Sequence, residues 1–209
     1  MTVRPGKIVC VGRNYRDHAK ELGNDVPTTP LLFLKPPSAV IREGEAIVLP
    51  KASRQVEWEG EVGIVVGRRL RKADAREAAA AVQAIVALND VTARDLQKAE
   101  PQWTRAKGFD TFCPLGTPAP APAELESLTV VTRVNGEERQ RGRVSDMVFN
   151  IPDLLAYISQ VMTLEPGDLV ATGTPAGVGK LSPGDTVAVE VHGPQGVVSA
   201  VQNPVVEDR

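Results

Sequence analysis

Val56-Glu57-Trp58-Glu59-Gly60-Glu61-Val62-Gly63-Ile64-Val65-Val66-Gly67 decides how the chain is read. Its second half is a short apolar run closed by glycine, the pattern of a buried strand. Its first half carries a glutamate at every second position. Alternate side chains of a strand share a face, so Glu57, Glu59 and Glu61 are expected to point the same way. Like charges so placed repel, and a strand entering a core is a costly place for them. A solvated strand face relieves the repulsion; so does a bound cation. Carboxylate oxygens suit a hard divalent ion, with Mg²⁺ the first choice and Mn²⁺ or Ca²⁺ also possible.

A second acidic element favours the cation. Asp90 ends the apolar run Val86-Ala87-Leu88-Asn89-Asp90, which places it at a strand terminus. Two of these glutamates on one strand and Asp90 on its neighbour would supply three oxygen ligands and leave positions for water and substrate. That is the open type of site magnesium uses in catalysis.

Composition bounds the alternatives. The chain has 209 residues, 42% hydrophobic and 24% charged, enough for one soluble domain with a sizeable core. Aromatics make up 4%, so that core is aliphatic. With a net charge of −2 and no prominent basic cluster, nucleic acid is not expected as a partner. No apolar run has the length of a membrane span. Met1-Thr2-Val3-Arg4-Pro5-Gly6-Lys7 lacks the apolar segment of a secretory signal, and the expected location is cytoplasmic. Cys10 and Cys113 are read as reduced thiols, and two cysteines with two histidines show no zinc spacing.

Along the chain, Lys7 to Gly12 and Leu31 to Leu34 read as strands. A short helix follows Asn14, its expected cap, and stops at Gly23. Asp74-Ala75-Arg76-Glu77 has capping-box spacing and opens a helix expected to reach Ile85. Thr117 to Ala123 reads as a proline–alanine surface loop. Asn135-Gly136 between two strand-like runs signals a hairpin. Asn150 caps a helix to Met162 with Leu154, Leu155, Ile158, Val161 and Met162 as its buried stripe. Glu165-Pro166-Gly167-Asp168 and Ser182-Pro183-Gly184-Asp185 are turns before the last strands, and His192 belongs to a turn. Thr172 to Lys180 is glycine-rich but lacks the order of a phosphate loop, which argues against nucleotide binding. Many short strands with few helices give an α+β, strand-dominated fold.

His18 and Glu21 are three apart on the first helix and can touch. That arrangement serves a general base, and equally a surface ion pair. Lys107 is suited to offset excess negative charge near the triad and to stabilise an enolate or oxyanion, or to serve as a structural ion-pair partner. Lys35 reads as a solvated strand end or an active-site rim.

Six pieces, in order, resemble the fumarylacetoacetate hydrolase family. They are Gly12-Arg13-Asn14-Tyr15-Arg16-Asp17-His18, Phe33-Leu34-Lys35-Pro36, Glu59-Gly60-Glu61-Val62, Asn89-Asp90-Val91-Thr92-Ala93-Arg94-Asp95-Leu96-Gln97, Ala106-Lys107-Gly108-Phe109-Asp110 and Thr172-Gly173-Thr174-Pro175-Ala176-Gly177-Val178-Gly179. The resemblance implies a mixed β-sandwich roll spanning residues 1–209 as a single catalytic domain. Within it, residues 1–50 form an amino-terminal lid and strand segment. A homodimer is also implied. Glu59, Glu61 and Asp90 match the family's metal ligands. Glu57-Trp58 stands where many members have histidine, and Glu57 is not counted as a ligand. The resemblance also implies a water-activating pair in His18 and Glu21, charge stabilisation by Lys107, and substrate contacts from Arg13, Arg94, Gln97 and Thr174. The implied activity is metal-dependent hydrolysis of a C–C bond in acylpyruvate-like 2-oxo or enol acids through an enolate. Isomerisation or decarboxylation of hydroxymuconate- or oxaloacetate-type acids, as in aromatic-compound catabolism, needs the same metal and enolate and is the alternative. A non-catalytic acid- or Ca²⁺-binding domain is the reading from another class.

Overall fold

The computed structural model of the protein describes residues 4–208, so the readings of Met1–Lys7 and of 1–209 as one domain extend past the described residues at 1–3 and 209. The centre of the fold is a six-stranded sheet. Its order is Ala119–Pro120, Val82–Asn89, Gly60–Val66, Leu169–Ala171, Ile8–Gly12 and Leu31–Lys35. Ile8–Gly12 pairs in parallel with Leu169–Ala171, and the other neighbours are antiparallel. The long apolar runs follow from burial on both faces. Val9, Val11, Val62, Ile64, Ile85 and Ala87 enter one core cluster, whereas Ile8, Cys10, Val65, Ala84, Val86 and Leu88 enter another.

A second, five-stranded sheet runs Glu137–Arg143, Thr129–Val134, Thr186–Gly193, Gly196–Glu207 and Ile47–Leu49. Its Val130, Val189, Val191 and Val201 join the first cluster, so the two sheets share one aliphatic core. The helix Ile151–Val161 also packs into it. Asn150 caps that helix by accepting from the Asp153 amide at 2.9 Å. The Asn135-Gly136 hairpin forms, with φ of 54° and 82° at its centre, the mirror-image turn that matches strand twist. This is the strand-dominated α+β sandwich expected.

Several local expectations change. The capping box at Asp74 and Glu77 is present, but its helix is only Ala75–Ala79. Val82 to Ile85 belong to the strand Val82–Asn89, where sheet pairing overrides the alanine-rich helical pattern. Asn14 does not cap the first helix, Arg16–Glu21. Its side chain instead ties Phe149 and Thr172 together. Ile151 is buried in the later helix, and Val161 is 60% exposed. The proline–alanine loop contains the edge strand Ala119–Pro120. His192 ends a strand, with its Nε2 2.7 Å from Glu190.

The largest departure concerns the glutamates. Val56–Trp58 belongs to a small sheet with Gly179–Lys180 and Thr92–Ala93, while Gly60–Val66 belongs to the central sheet. The chain changes sheets at Glu59. Its amide donates to Asn89 Oδ1 at 2.9 Å, and its carbonyl accepts from the Asp90 amide at 2.8 Å. The three glutamates therefore do not form one uninterrupted strand face.

Both cysteines are fully buried free thiols. Burial pushes Cys113 up to about 12 and Cys10 well above its ordinary value. Neither thiol is expected to react with an aromatic disulfide reagent at pH 8 in the native protein, and both are expected to react in denaturant. Absorbance of the released thiolate checks this, and fast labelling of the native chain would contradict the burial described.

Candidate active site

The strand ends of the central sheet and the sheet change at Glu59 bring three carboxylates together. One oxygen each from Glu59, Glu61 and Asp90 lies within 4.8 Å of the others, and all three residues are buried. At an effective dielectric of about 20, two unit charges 4.8 Å apart repel by roughly 3.5 kcal/mol, so this cluster needs compensation.

Cations supply most of it. Lys107 Nζ donates to Glu59 at 2.8 Å and to Asp90 at 2.6 Å. Lys35 Nζ donates to the other Asp90 oxygen at 2.6 Å and to the Val91 carbonyl at 3.0 Å. Arg94 Nε bonds Glu57 at 2.7 Å, and its terminal nitrogens reach Glu59 and Gln97. Burial alone would raise Glu59, but Lys107 and Arg94 hold it far below the usual carboxylate range. Burial would likewise depress Lys107, yet Asp90 and Glu59 keep it raised and charged.

Glu61 is the exception. Among the described residues no cation is bonded to it, and its Oε2 accepts from the Gly173 amide at 2.7 Å. Burial, then Asp90 and Glu59, push its carboxyl well above the ordinary value. A buried carboxylate lacking its own cation must hold a proton or face a metal ion. Three hard oxygen donors fit a divalent ion at this point, its identity left open by the donor set. Gly173 presents its amide at a φ of 103°, and a Cβ there would sit 2.7 Å from Asn14 Cβ. Glycine is the residue that allows this approach.

A cleft opens over the cluster. His18 lines it, with Nδ1 3.2 Å from Glu21 Oε2, and Glu21 Oε1 accepts from the Gly177 amide at 3.0 Å. This contact engages Nδ1 and leaves Nε2 as the ring nitrogen that Glu21 does not hold. Arg13, Gln97 and Thr174 line the same cleft. The Thr174 hydroxyl is already engaged, donating to the Gly60 carbonyl at 2.9 Å and accepting from Gln140 at 2.8 Å. Arg94 is likewise occupied by carboxylates, so its direct role here is to hold Glu57 and Glu59. Glu57 stands outside the triad, bound by Arg94 and by Gln55 at 2.6 Å. Lys35 is neither a rim nor a solvated strand end: it is 1% exposed beneath Asp90.

Sequence reading missed the apolar wall. Phe33 and Trp103 meet edge to face at 5.3 Å and line the cleft with Leu22 and Val11. Gly12 makes room for Trp103, which a Cβ would approach to 3.0 Å. The dominance of aliphatic residues elsewhere was the available signal, since one of the two tryptophans is placed here.

Comparison with known proteins places this arrangement. The family model described as fumarylacetoacetate (FAA) hydrolase C-terminal matches residues 7–206. The mitochondrial oxaloacetate decarboxylase of Dictyostelium discoideum is 42% identical over 195 residues, covering 90% of this chain and 89% of that protein. A mitochondrial oxaloacetate tautomerase of Caenorhabditis elegans is 43% identical, covering 87% of each. A crystal structure of 5-carboxymethyl-2-hydroxymuconate delta-isomerase from Mycobacterium smegmatis superposes with a TM-score of 0.90 at 42% identity, over 99% of this chain and 81% of that one.

The state of Glu61 sets how an ion binds. The bound ion requires the carboxylate, so affinity for Mg²⁺ or Mn²⁺ is expected to weaken as pH falls through the raised Glu61 value and to level off above it. In ion-free protein the same raised value makes stability decline as pH rises past the ordinary glutamate range, and the ion restores it. Calorimetry in buffers of different ionisation enthalpy reads the proton released. Glu61→Gln is expected to weaken the ion at least about tenfold and to abolish that release.

Proposed function

The chain belongs to the fumarylacetoacetate hydrolase family, and on that premise we propose that it is a divalent-metal-dependent enzyme that moves a proton between the enol and keto forms of a short 2-oxo acid. Decarboxylation of the same kind of acid is the neighbouring activity. Hydrolysis of acylpyruvates, the activity first implied by the sequence, gives way here because relatives covering nearly all of this chain are named for oxaloacetate tautomerisation or decarboxylation, and the solved neighbour for isomerisation. The observation that carries the reading is that one cleft is lined by the carboxylate triad, by charged Lys107 and by His18, whose Nδ1 Glu21 contacts from behind the lining.

Glu59, Glu61 and Asp90 would hold the ion. A bound divalent ion supplies Lewis-acid polarisation of the 2-oxo group. Lys107, fixed between Glu59 and Asp90, stabilises the negative charge that gathers on the enolate oxygen. His18 moves the proton: Glu21 holds Nδ1, and Nε2 exchanges a proton with C3 of the acid. In tautomerisation the enol oxygen gives up a proton as C3 gains one. In decarboxylation the bond from C3 to the departing CO₂ breaks, and C3 of the resulting enolate is protonated in its place. Phe33, Trp103 and Leu22 wall the cleft and restrict water around the enolate.

The test is decay of the enol absorbance of oxaloacetate, with pyruvate followed separately. Decay is expected to accelerate with Mg²⁺ and to return to the uncatalysed rate in EDTA. His18→Ala is expected to lower kcat by about 10²-fold or more, the usual contribution of a positioned acid–base. Metal-dependent release of pyruvate from an acylpyruvate, with no effect on the oxaloacetate enol, would return hydrolysis to first place.

A further inference from the structure

Within the polar strand Glu137–Arg143, Glu138, Arg139, Arg141 and Arg143 are exposed, and Gln140 and Gly142 turn inward. Gln140 is 1% exposed. A buried amide costs free energy unless its donors and its acceptor are met. Here they are met, and each partner belongs to an element that carries the cleft. Gln140 Oε1 accepts from the Gly60 amide at 3.0 Å. Its Nε2 donates to the Thr174 hydroxyl at 2.8 Å and to the Pro175 carbonyl at 2.7 Å. Thr174 closes the ring by donating to the Gly60 carbonyl at 2.9 Å.

The two things gripped are the backbone of the triad and the stretch behind it. Gly60 stands between Glu59 and Glu61. Its N–H belongs to the planar peptide shared with Glu59, and its carbonyl to the one shared with Glu61. Holding both groups sets the backbone from which the two carboxylates project. A Cβ at Gly60 would lie 1.9 Å from Thr132 Oγ1, so this turn is also pressed against the five-stranded sheet. Pro175 lies midway between Gly173, whose amide donates to Glu61 at 2.7 Å, and Gly177, whose amide donates to Glu21 at 3.0 Å. Both glycines have positive φ, 103° and 102°, and glycine backbone is the most permissive of all. Chain connection alone therefore fixes Gly177 poorly relative to Gly173. A grip on the middle of the stretch fixes it well.

We infer that Gln140 is a positioning residue that couples the carboxylate triad to the His18–Glu21 pair, because one amide holds the Glu59–Gly60–Glu61 backbone and the 173–177 stretch in a common frame. Fixing Glu61 with a divalent ion then also fixes the amide on which Glu21 rests. The inference rests on the ion and the acid–base pair of the proposed function and adds how the one is kept in register with the other.

Amide hydrogen exchange followed by nuclear magnetic resonance reads this coupling without turnover. Exchange at Gly173 and Gly177 is compared in ion-free protein and with Mg²⁺ at about one hundred times its dissociation constant. In native protein Mg²⁺ is expected to slow both amides by on the order of tenfold or more. Gln140→Met replaces the amide by an apolar chain of the same length. In that variant Mg²⁺ is expected still to slow Gly173, and to slow Gly177 by no more than about twofold. Gln140→Asn keeps the amide but withdraws it by one methylene; it is expected to fall between, and it serves where the methionine variant does not fold. Exchange within the helix Ile151–Val161 reads any general loss of stability. A merely structural role lowers protection in both states and leaves the ratio of ion-loaded to ion-free exchange at Gly177 as in native protein. That result overturns the inference, as does a native protein in which Mg²⁺ leaves Gly177 unslowed. If Gly177 responds through Gln140 while the oxaloacetate enol is untouched, the inference stands and the proposed reaction falls. If the enol is turned over with Mg²⁺ and the Gly177 ratio ignores Gln140, the reverse holds.

Discussion

Burying carboxylates without loss of stability is the constraint on which the rest of this structure depends. Each buried ion left unpaired costs several kcal/mol, and removing one partner of a buried pair costs about 3–5 kcal/mol. The protein meets this by setting Lys35, Lys107 and Arg94 around Glu57, Glu59 and Asp90. Those three cations come from three separate elements: the edge strand Leu31–Lys35, the short helix Thr104–Lys107 and the helix Arg94–Ala99. The network therefore draws the outer parts of the fold onto the sheet ends. Among the described residues of this cluster it leaves Glu61 as the carboxyl without a bonded cation of its own.

The two-faced burial of the central sheet explains why the polar chemistry gathers at its ends. Along Gly60–Val66 every residue is buried. Apolar contacts stabilise the middle of the sheet, and the strands switch sheets or give way to loops where carboxylates, amides and cations converge. Asn14, Asn89 and Gln140 support this transition, each buried and each bonded to backbone on the far side of a chain break between elements. None of the three lines the cleft itself, and Gln140 also donates to the Thr174 hydroxyl in its wall. They fix the strand ends that carry it.

Much of this was legible in the residues. Alternating glutamates and an aspartate closing an apolar run point to an acidic site, and the family resemblance singles out Glu59, Glu61 and Asp90 within it. The hairpin at Asn135-Gly136 and the cap at Asn150 were equally plain, because local backbone geometry dictates them. What escaped had non-local causes. Val82 to Ile85 carries a helical pattern but lies between two strands, and pairing decides its state. Lys35 read as a strand end because nothing in its neighbours announces Asp90, 55 positions away. The sheet change at Glu59 depends on Asn89, 30 positions on.

The parallel pairing of Ile8–Gly12 with Leu169–Ala171 bears on how the molecule is made. The second strand of the chain's own centre is not synthesised until about four-fifths of the sequence exists. The strand Ile8–Gly12 can meet Leu31–Lys35 early, but its other edge stays open until then. The amide of Gly173, which Glu61 needs, arrives at the same late moment. Pairing at such separation is slow, because loop closure precedes any gain from contacts. Until residues 169–173 are in place, one edge of the strand Ile8–Gly12 has no partner and the acid cluster lacks the amide that Glu61 accepts from, an open edge of the kind that favours wrong pairing.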